Sequence, residues 1–188
     1  MRLTPVLILL AMVAGCASSP VPSYYRLAAL AEPATAAATL PAGGVAIGPF
    51  DLADYLDRPQ LVTRAGANAL AVADYERWAE PLDANFQAVV AANVGRLLGS
   101  DQVLEFPAQA ILKGAQRVTG RVLGFDVDGG NAVLEVQWGV VDGKGAVLRP
   151  GRISRYEAPV SGAGTAARVA ALNATVTAFS ADVAAALR

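Results

Sequence analysis

The chain has 188 residues, which is enough for one domain and marginal for two. Its 15 basic and 16 acidic residues nearly balance, so no positive excess is available to attract nucleic acid. Histidine is absent, which removes the commonest general base and a frequent metal ligand. These counts argue against a nucleic-acid partner and against most classes of enzyme, and no non-covalent cofactor is expected.

The first 16 residues have the pattern of a secretory signal that ends at a cysteine. An apolar run over residues 6–14 follows Arg2 and is far shorter than the ~20 residues that span a bilayer. The run ends in Val13-Ala14-Gly15-Cys16, which contains the only cysteine of the chain. This motif resembles the lipobox of bacterial lipoproteins, and the resemblance implies that residues 1–15 are removed and that Cys16 is acylated. The alternative is an ordinary secretory signal with an incidental cysteine.

Acylation of Cys16 bears on where the protein is located. One acyl chain binds a membrane only marginally, whereas the two or more chains of bacterial lipoproteins anchor it stably. Ala17 follows the cysteine in place of an aspartate, which by the enterobacterial sorting rule implies the periplasmic face of the outer membrane. Residues 16–23 are predicted to form a lipidated tether, and residues 24–188 form the folded domain.

The first half of the domain is predicted to contain short strands and one helix. Pro81 begins the helix, because its missing N–H costs nothing in the first turn, and Gly99 ends it. A linker without periodicity covers residues 32–42. The short strands are predicted at residues 24–27, 44–50, 60–64, 69–72 and 102–106.

The second half is predicted to be a β-meander followed by a helix. Two turn sequences, Asp128-Gly129-Gly130-Asn131 and Asp142-Gly143-Lys144-Gly145, divide residues 115–157 into three strands. The middle strand alternates apolar and polar residues, which indicates one buried face. Thr165 is expected to cap a final helix whose single apolar stripe predicts packing on the sheet, with binding to a membrane surface as the alternative.

A change of parity predicts a bulge in the first strand of the meander. Polar residues 117, 119 and 121 share their parity with apolar residues 123, 125 and 127, so we expect the irregularity near Gly120 or Gly124. Together these elements predict the α+β class. The expected architecture is a single domain in which an antiparallel-rich β-sheet has two α-helices packed on one face.

Two short motifs resemble ligand-binding loops, but local structure explains each of them better. Gly162-Ala163-Gly164-Thr165-Ala166-Ala167 fits a dinucleotide fingerprint, yet no second strand with an acidic residue follows the helix. Asp126-Val127-Asp128-Gly129 begins like a calcium loop, but Gln137 stands where the closing glutamate is needed. A flexible helix entry and a hairpin turn are therefore the favoured interpretations.

Neither a catalytic residue nor a metal ligand is predicted. No serine lies in a G-x-S-x-G elbow, and no histidine is present to activate one. One spaced acidic trio is expected to form turns and to pair with Arg58 or Arg64, with cation binding as the alternative: Asp51, Asp54 and Asp57.

Two segments, residues 54–64 and 76–82, combine charged residues with an aromatic side chain. Exposed aromatic side chains beside arginine are typical of protein interfaces. The alternative is structural: Tyr55 and Trp78 cap the edge of the sheet, and Arg58 pairs with a neighbouring carboxylate, Asp57 or Glu80. The candidate partner-binding residues are Tyr55, Leu56, Asp57, Arg58, Pro59, Trp78 and Glu80.

The same two segments resemble the signature of the PqiC family, the auxiliary lipoproteins of ABC-type and MCE-type transport systems. The specific block is Tyr55-Leu56-Asp57-Arg58-Pro59-Gln60-Leu61-Val62-Thr63-Arg64, followed by Arg77-Trp78-Ala79-Glu80-Pro81-Leu82. Weaker similarity at Tyr24-Tyr25-Arg26-Leu27 and Val45-Ala46-Ile47-Gly48-Pro49 extends the resemblance to essentially the whole mature chain. The alanine-rich stretch over residues 31–42 departs from the family pattern.

The resemblance implies a lipoprotein subunit of an intermembrane lipid transport system. Its partner would be an MCE-domain protein, with the inner-membrane transport components of that system, and its membrane contact would be the lipid on Cys16. The alternative is a periplasmic carrier that holds an acyl chain between its helices and its sheet. Assembly into a homo-oligomer stays open.

Overall fold

The computed structural model of the chain describes residues 20–31, 40, 43–107 and 114–188. The described residues contain one 3-10 turn, Asp54–Leu56, and two α-helices, α1 (Leu82–Leu98) and α2 (Gly164–Ala186). The strands are β1 (Ser23–Tyr25), β2 (Val45–Leu52), β3 (Gln60–Gly66), β4 (Ala69–Trp78), β5 (Val103–Glu105), β6 (Gln116–Asp128), β7 (Asn131–Val141) and β8 (Val147–Pro159).

The strands belong to two mixed sheets. The larger sheet has the order β5-β2-β6-β7-β8, with β2 parallel to both of its neighbours and β6-β7-β8 forming the predicted antiparallel meander. The smaller sheet has the order β1-β4-β3. The α+β class with two helices is confirmed, but the strands divide between two sheets. The hairpin of β3 and β4 pairs with β1 in parallel instead of extending the larger sheet.

The core lies between the two helices and the larger sheet. On β7 the inward-facing side chains are buried at every second position, as predicted: Ala132, Leu134, Val136, Trp138 and Val140. Facing them, the predicted apolar stripe of α2 is also buried, at Val169, Leu172, Val176, Phe179, Val183 and Leu187. Although α2 has the length and the hydropathy of a membrane-crossing helix, half of its most apolar window is buried inside the protein. These contacts agree with packing of α2 on the sheet.

Aromatic rings link the two helices to the sheet. The Phe179 ring on α2 lies 5.6 Å from Trp138, 5.7 Å from Phe50 and 6.0 Å from Phe86, measured between centroids. Phe86 on α1 in turn lies 6.2 Å from Phe125 on β6. Edge-to-face and offset arrangements at such distances add to the free energy gained from burial alone.

Three asparagines bind the backbone that follows β1. The strand was predicted to continue to residue 27, but it ends at Tyr25 because the next amides have side-chain partners on the helices. These hydrogen bonds satisfy backbone donors, including the buried amide of Leu27, without a neighbouring strand. They join Leu27 N to Asn85 Oδ1 at 2.7 Å, Ala28 N to Asn173 Oδ1 at 2.9 Å, and Leu30 N to Asn93 Oδ1 at 2.7 Å.

Two further predicted local features are confirmed, and one is wrong. Helix α1 begins directly after Pro81 and ends at Gly99, which has the left-handed φ of 61° that glycine tolerates. The bulge in β6 lies between Val122 and Gly124, as the parity change predicted. The prediction that Thr165 caps α2 is wrong. The helix begins one residue earlier, so Thr165 lies inside the first turn, and no side chain caps this end.

Candidate functional site

Six of the seven predicted partner-binding residues line one surface groove with a volume of about 590 Å³. They are Leu56, Asp57, Arg58, Pro59, Trp78 and Glu80. The antiparallel pairing of β3 with β4, which sets Gln60 opposite Arg77, brings the two sequence segments together. The amide of Trp78 also donates to the carbonyl of Pro59 at 2.7 Å, so the segments are joined directly at the groove.

The floor of the groove is part of the hydrophobic core. Trp78 is only 7% exposed and Leu56 only 3% exposed, and both pack in the same cluster as Leu82. The Trp78 indole stacks on the Phe125 ring at 6.3 Å. The exposed aromatic position that the interface interpretation needs is therefore not observed for Trp78, and Leu56 is buried as well. Apolar side chains at the meeting of two sheets are buried by both. Trp78 ends β4, the middle strand of the smaller sheet, so it packs between the sheets and does not cap an edge.

Tyr55 points away from the groove and into a polar cluster. Its hydroxyl donates to Asp126 Oδ2 at 3.0 Å, and Arg64 Nη2 donates to the same oxygen at 3.1 Å. The carboxylate of Asp126 is only 2% exposed, so Arg64 supplies the opposite charge that a buried anion needs. Tyr55 therefore positions the 3-10 turn below the groove and does not line it.

This cluster shifts the acidity of the phenol. Burial and the neighbouring Asp126 carboxylate together raise the pKa of Tyr55 to about 12, because a buried phenolate would face a second negative charge. The carboxylate also raises the pKa of the Arg64 guanidinium above its ordinary value. Sequence reasoning missed Asp126 because it was interpreted as a turn residue. Asp126 lies on β6 and Arg64 lies on β3. An acidic and a basic residue on two predicted strands are the sequence signal that would have suggested an ion pair.

The rim of the groove is acidic. The lining contains five carboxylates and one guanidinium: Asp51, Asp54, Asp57, Glu80, Asp83 and Arg58. Asp51 and Asp83 were not among the predicted partner-binding residues, because each lies just outside the two segments, 54–64 and 76–82, from which those residues were chosen. Within the described part of the chain Arg58 forms no ion pair, so the predicted pairing with Asp57 or Glu80 is not seen.

The described residues hold no group of three carboxylates, or of other ligating side chains, arranged to bind a metal ion. The predicted lipidation site, Cys16, lies outside the described residues, as do the signal peptide over residues 1–15 and the linker over residues 32–39. Among the predicted functional residues, the structure therefore describes Tyr55 and the six residues that line the groove.

Solved structures of low sequence identity share the fold. The first is described as an uncharacterized protein and superposes with a TM-score of 0.74 at 20% identity, over 90% of this chain and 100% of its own. A DUF330 family protein from Xanthomonas campestris gives a TM-score of 0.72 at 17% identity, over 88% of this chain and 95% of its own. A comparison of the sequence with curated proteins gives no match.

The fold thus places the chain in a structural class that includes the DUF330 protein. Residues 25–184 match the family described as the ABC-type transport auxiliary lipoprotein component, and the chain belongs to this family. The resemblance to the PqiC family is confirmed by this match. The protein is a membrane-associated lipoprotein that serves a transporter.

Two alanine substitutions compare how much the floor and the rim of the groove contribute to the free energy of unfolding. Trp78→Ala removes a buried indole and should lower the free energy of unfolding by about 3–5 kcal/mol. Arg58→Ala removes an exposed side chain without an ion pair in the described residues and should change it by no more than about 0.5 kcal/mol. Urea titrations of both variants measure the difference, and a Trp78→Ala variant as stable as Arg58→Ala would contradict the buried position of the indole.

Alkaline unfolding tests the environment of Tyr55. The unfolded phenol, with a pKa of 10.0, loses its proton before the folded one, whose pKa is about 12. The free energy of unfolding should therefore fall as the pH rises from 10 to 12, because only the unfolded state gains from deprotonation. Tyr156, which donates to Asp182 at 2.7 Å and also has a pKa of about 12, contributes in the same window.

Tyr55→Phe should make this fall less steep in urea titrations repeated across the window, while Arg58→Ala should keep the wild-type slope. A Tyr55→Phe variant with the full wild-type slope would show that the phenol is not held in its neutral form by the fold.

Proposed function

We propose that the protein is a non-enzymatic docking subunit at the periplasmic face of the outer membrane, where it binds the MCE-domain protein of a lipid transport system. The observation that carries this proposal is the groove. It joins the two segments of the family signature, 55–64 and 77–82, on one surface. The family supports the association with a transporter.

The anchor explains why such a subunit would stay at one membrane. Acylated Cys16 lies seven residues before the start of β1, and an extended chain of that length reaches about 25 Å. The domain would therefore remain close to the bilayer, and a partner anchored in the other membrane would have to cross the periplasm to reach the groove.

The alternative function, an acyl-chain carrier, is less well supported. It needs space between the helices and the sheet, and in the described residues this interface contains the packed rings of Phe50, Phe86, Phe179 and Trp138. The groove itself has an acidic rim, which would repel the phosphate of a phospholipid.

The anchor is tested by Cys16→Ser in the full-length chain. Without the thiol no acyl chain can be attached, so the variant should lose incorporation of labelled palmitate completely while the wild type is labelled. Mass spectrometry of the N-terminal peptide provides a second measurement. An unlabelled wild type, or a labelled Cys16→Ser variant, would contradict lipidation at this residue.

Docking is tested by photocrosslinking in cells. A photoreactive amino acid replaces Ala79, an exposed residue of the groove wall with no side-chain hydrogen bond to lose. The matched control replaces Ala146, an exposed alanine in the turn between β7 and β8. We expect an adduct with an MCE-domain protein from Ala79 and none from Ala146. Lipid adducts at Ala79 without protein would favour the carrier, and equal capture from both positions would remove the assignment of docking to the groove.

A further inference from the structure

We propose that the groove binds a basic segment of its protein partner, in which lysine or arginine side chains flank an apolar side chain. The inference rests on the proposed docking function and states the chemistry of the docked segment. It is drawn from the distribution of charge, the exposure of the rim and the composition of the walls.

Negative charge is concentrated at this groove. Five of the 16 acidic residues of the chain line it, and Arg58 is the one basic residue among its described lining residues. The whole chain has a formal charge of only −1, so the asymmetry is local. A concave surface lined by one sign of charge attracts the opposite sign and raises the rate of association.

These carboxylates are available to a partner. All five belong to exposed residues, as does Arg58. Of these five carboxylates, only that of Asp54 forms an ion pair within the described residues, with Arg121 at 3.4 Å. Since like charges on one rim repel each other, a bound cationic segment would relieve a repulsion that the protein itself leaves in place.

The position of Asp83 adds a reason why the groove can remain acidic in the free protein. This residue lies in the first turn of α1, where the positive end of the helix dipole stabilises a carboxylate. The fold therefore tolerates one of the five charges at little cost to stability, while the charge still faces the groove.

The walls provide the apolar part of the contact. Pro59, Ala79 and Pro81 are exposed along the groove, and the half-buried Leu52 lies beside them. Prolines and alanine lose almost no side-chain entropy when covered, so a leucine- or valine-sized side chain can be bound against them without ordering flexible groups. A volume of about 590 Å³ is within the range of ~300–1,000 Å³ typical of ligand sites.

The same features disfavour other occupants. An acidic segment or an anionic headgroup would add negative charge to the rim. A bare metal ion lacks a site, because the described residues include no convergent group of three ligating side chains. A wholly apolar segment would cover exposed carboxylates without neutralising them, at the cost of removing charge from water.

Charge reversal tests the inference in the full-length protein with the photoreactive group at Ala79. Glu80→Lys combined with Asp83→Lys reverses two charges of the rim, and Asp74→Lys combined with Asp101→Lys makes the same change at exposed residues outside the groove. The rim variant should lose about tenfold in adduct yield, equivalent to ~1.4 kcal/mol, and the control should keep the wild-type yield. The neutral variant Glu80→Gln with Asp83→Asn should show a smaller loss of adduct yield in the same direction. This second variant keeps the test valid if the charge-reversed variant does not fold.

The captured peptide provides the second measurement. Mass spectrometry should place the adduct in a partner segment with net positive charge, containing at least two lysines or arginines around an apolar residue. An acidic or neutral segment, or an unchanged yield from the rim variant, would overturn the inference. Capture of the MCE-domain protein with no effect of charge reversal would leave docking intact and reject the basic segment. Charge-dependent capture of a basic segment from a different protein would support the groove chemistry and reject the proposed partner.

Discussion

The packing of aromatic rings around Phe179 is the contact on which the rest of the architecture depends. This fully buried ring on α2 touches rings from the larger sheet, Phe50 and Trp138, and from the other helix, Phe86. The chain has only 12 aromatic residues, and alanine fills much of its remaining apolar content. Because few large side chains are available, the core of this domain is organised around one connected group of them.

The same group of rings extends to the groove. Phe86 contacts Phe125, and Phe125 stacks on Trp78, which forms the groove floor between the two sheets. The floor is therefore fixed by the core, whereas the rim consists of exposed carboxylates with freedom to meet a partner. A rigid apolar base with a charged rim is the arrangement in which charge sets the choice of partner and little ordering is required on binding.

Periodicity predicted the parts of the fold that depend on neighbouring residues. It predicted the buried face of β7, the stripe of α2, both ends of α1 and the bulge of β6, because each is determined by local spacing and backbone preference. The division into two sheets and the burial of Trp78 depend on the pairing of the β3-β4 hairpin with β1, which is distant from the hairpin in sequence. Six groove residues lie in the two segments that the sequence singled out, but the burial of Leu56 and Trp78 was not predicted, for the same reason.

The segment from Tyr55 to Pro59 shows how one short sequence can both stabilise the fold and present side chains for the proposed docking. The tight 3-10 turn sends successive side chains in different directions, so that Tyr55 reaches the buried Asp126, Leu56 enters the core, and Asp57 remains exposed at the rim. The inward pair fixes the turn with a hydrogen bond and a hydrophobic contact. Because the turn is fixed from inside, Asp54 and Asp57 can both remain at the rim although their like charges repel each other. The composition of this segment, an aromatic residue beside charges, thus reflects two directions of its side chains, and only the outward ones bear on the proposed docking.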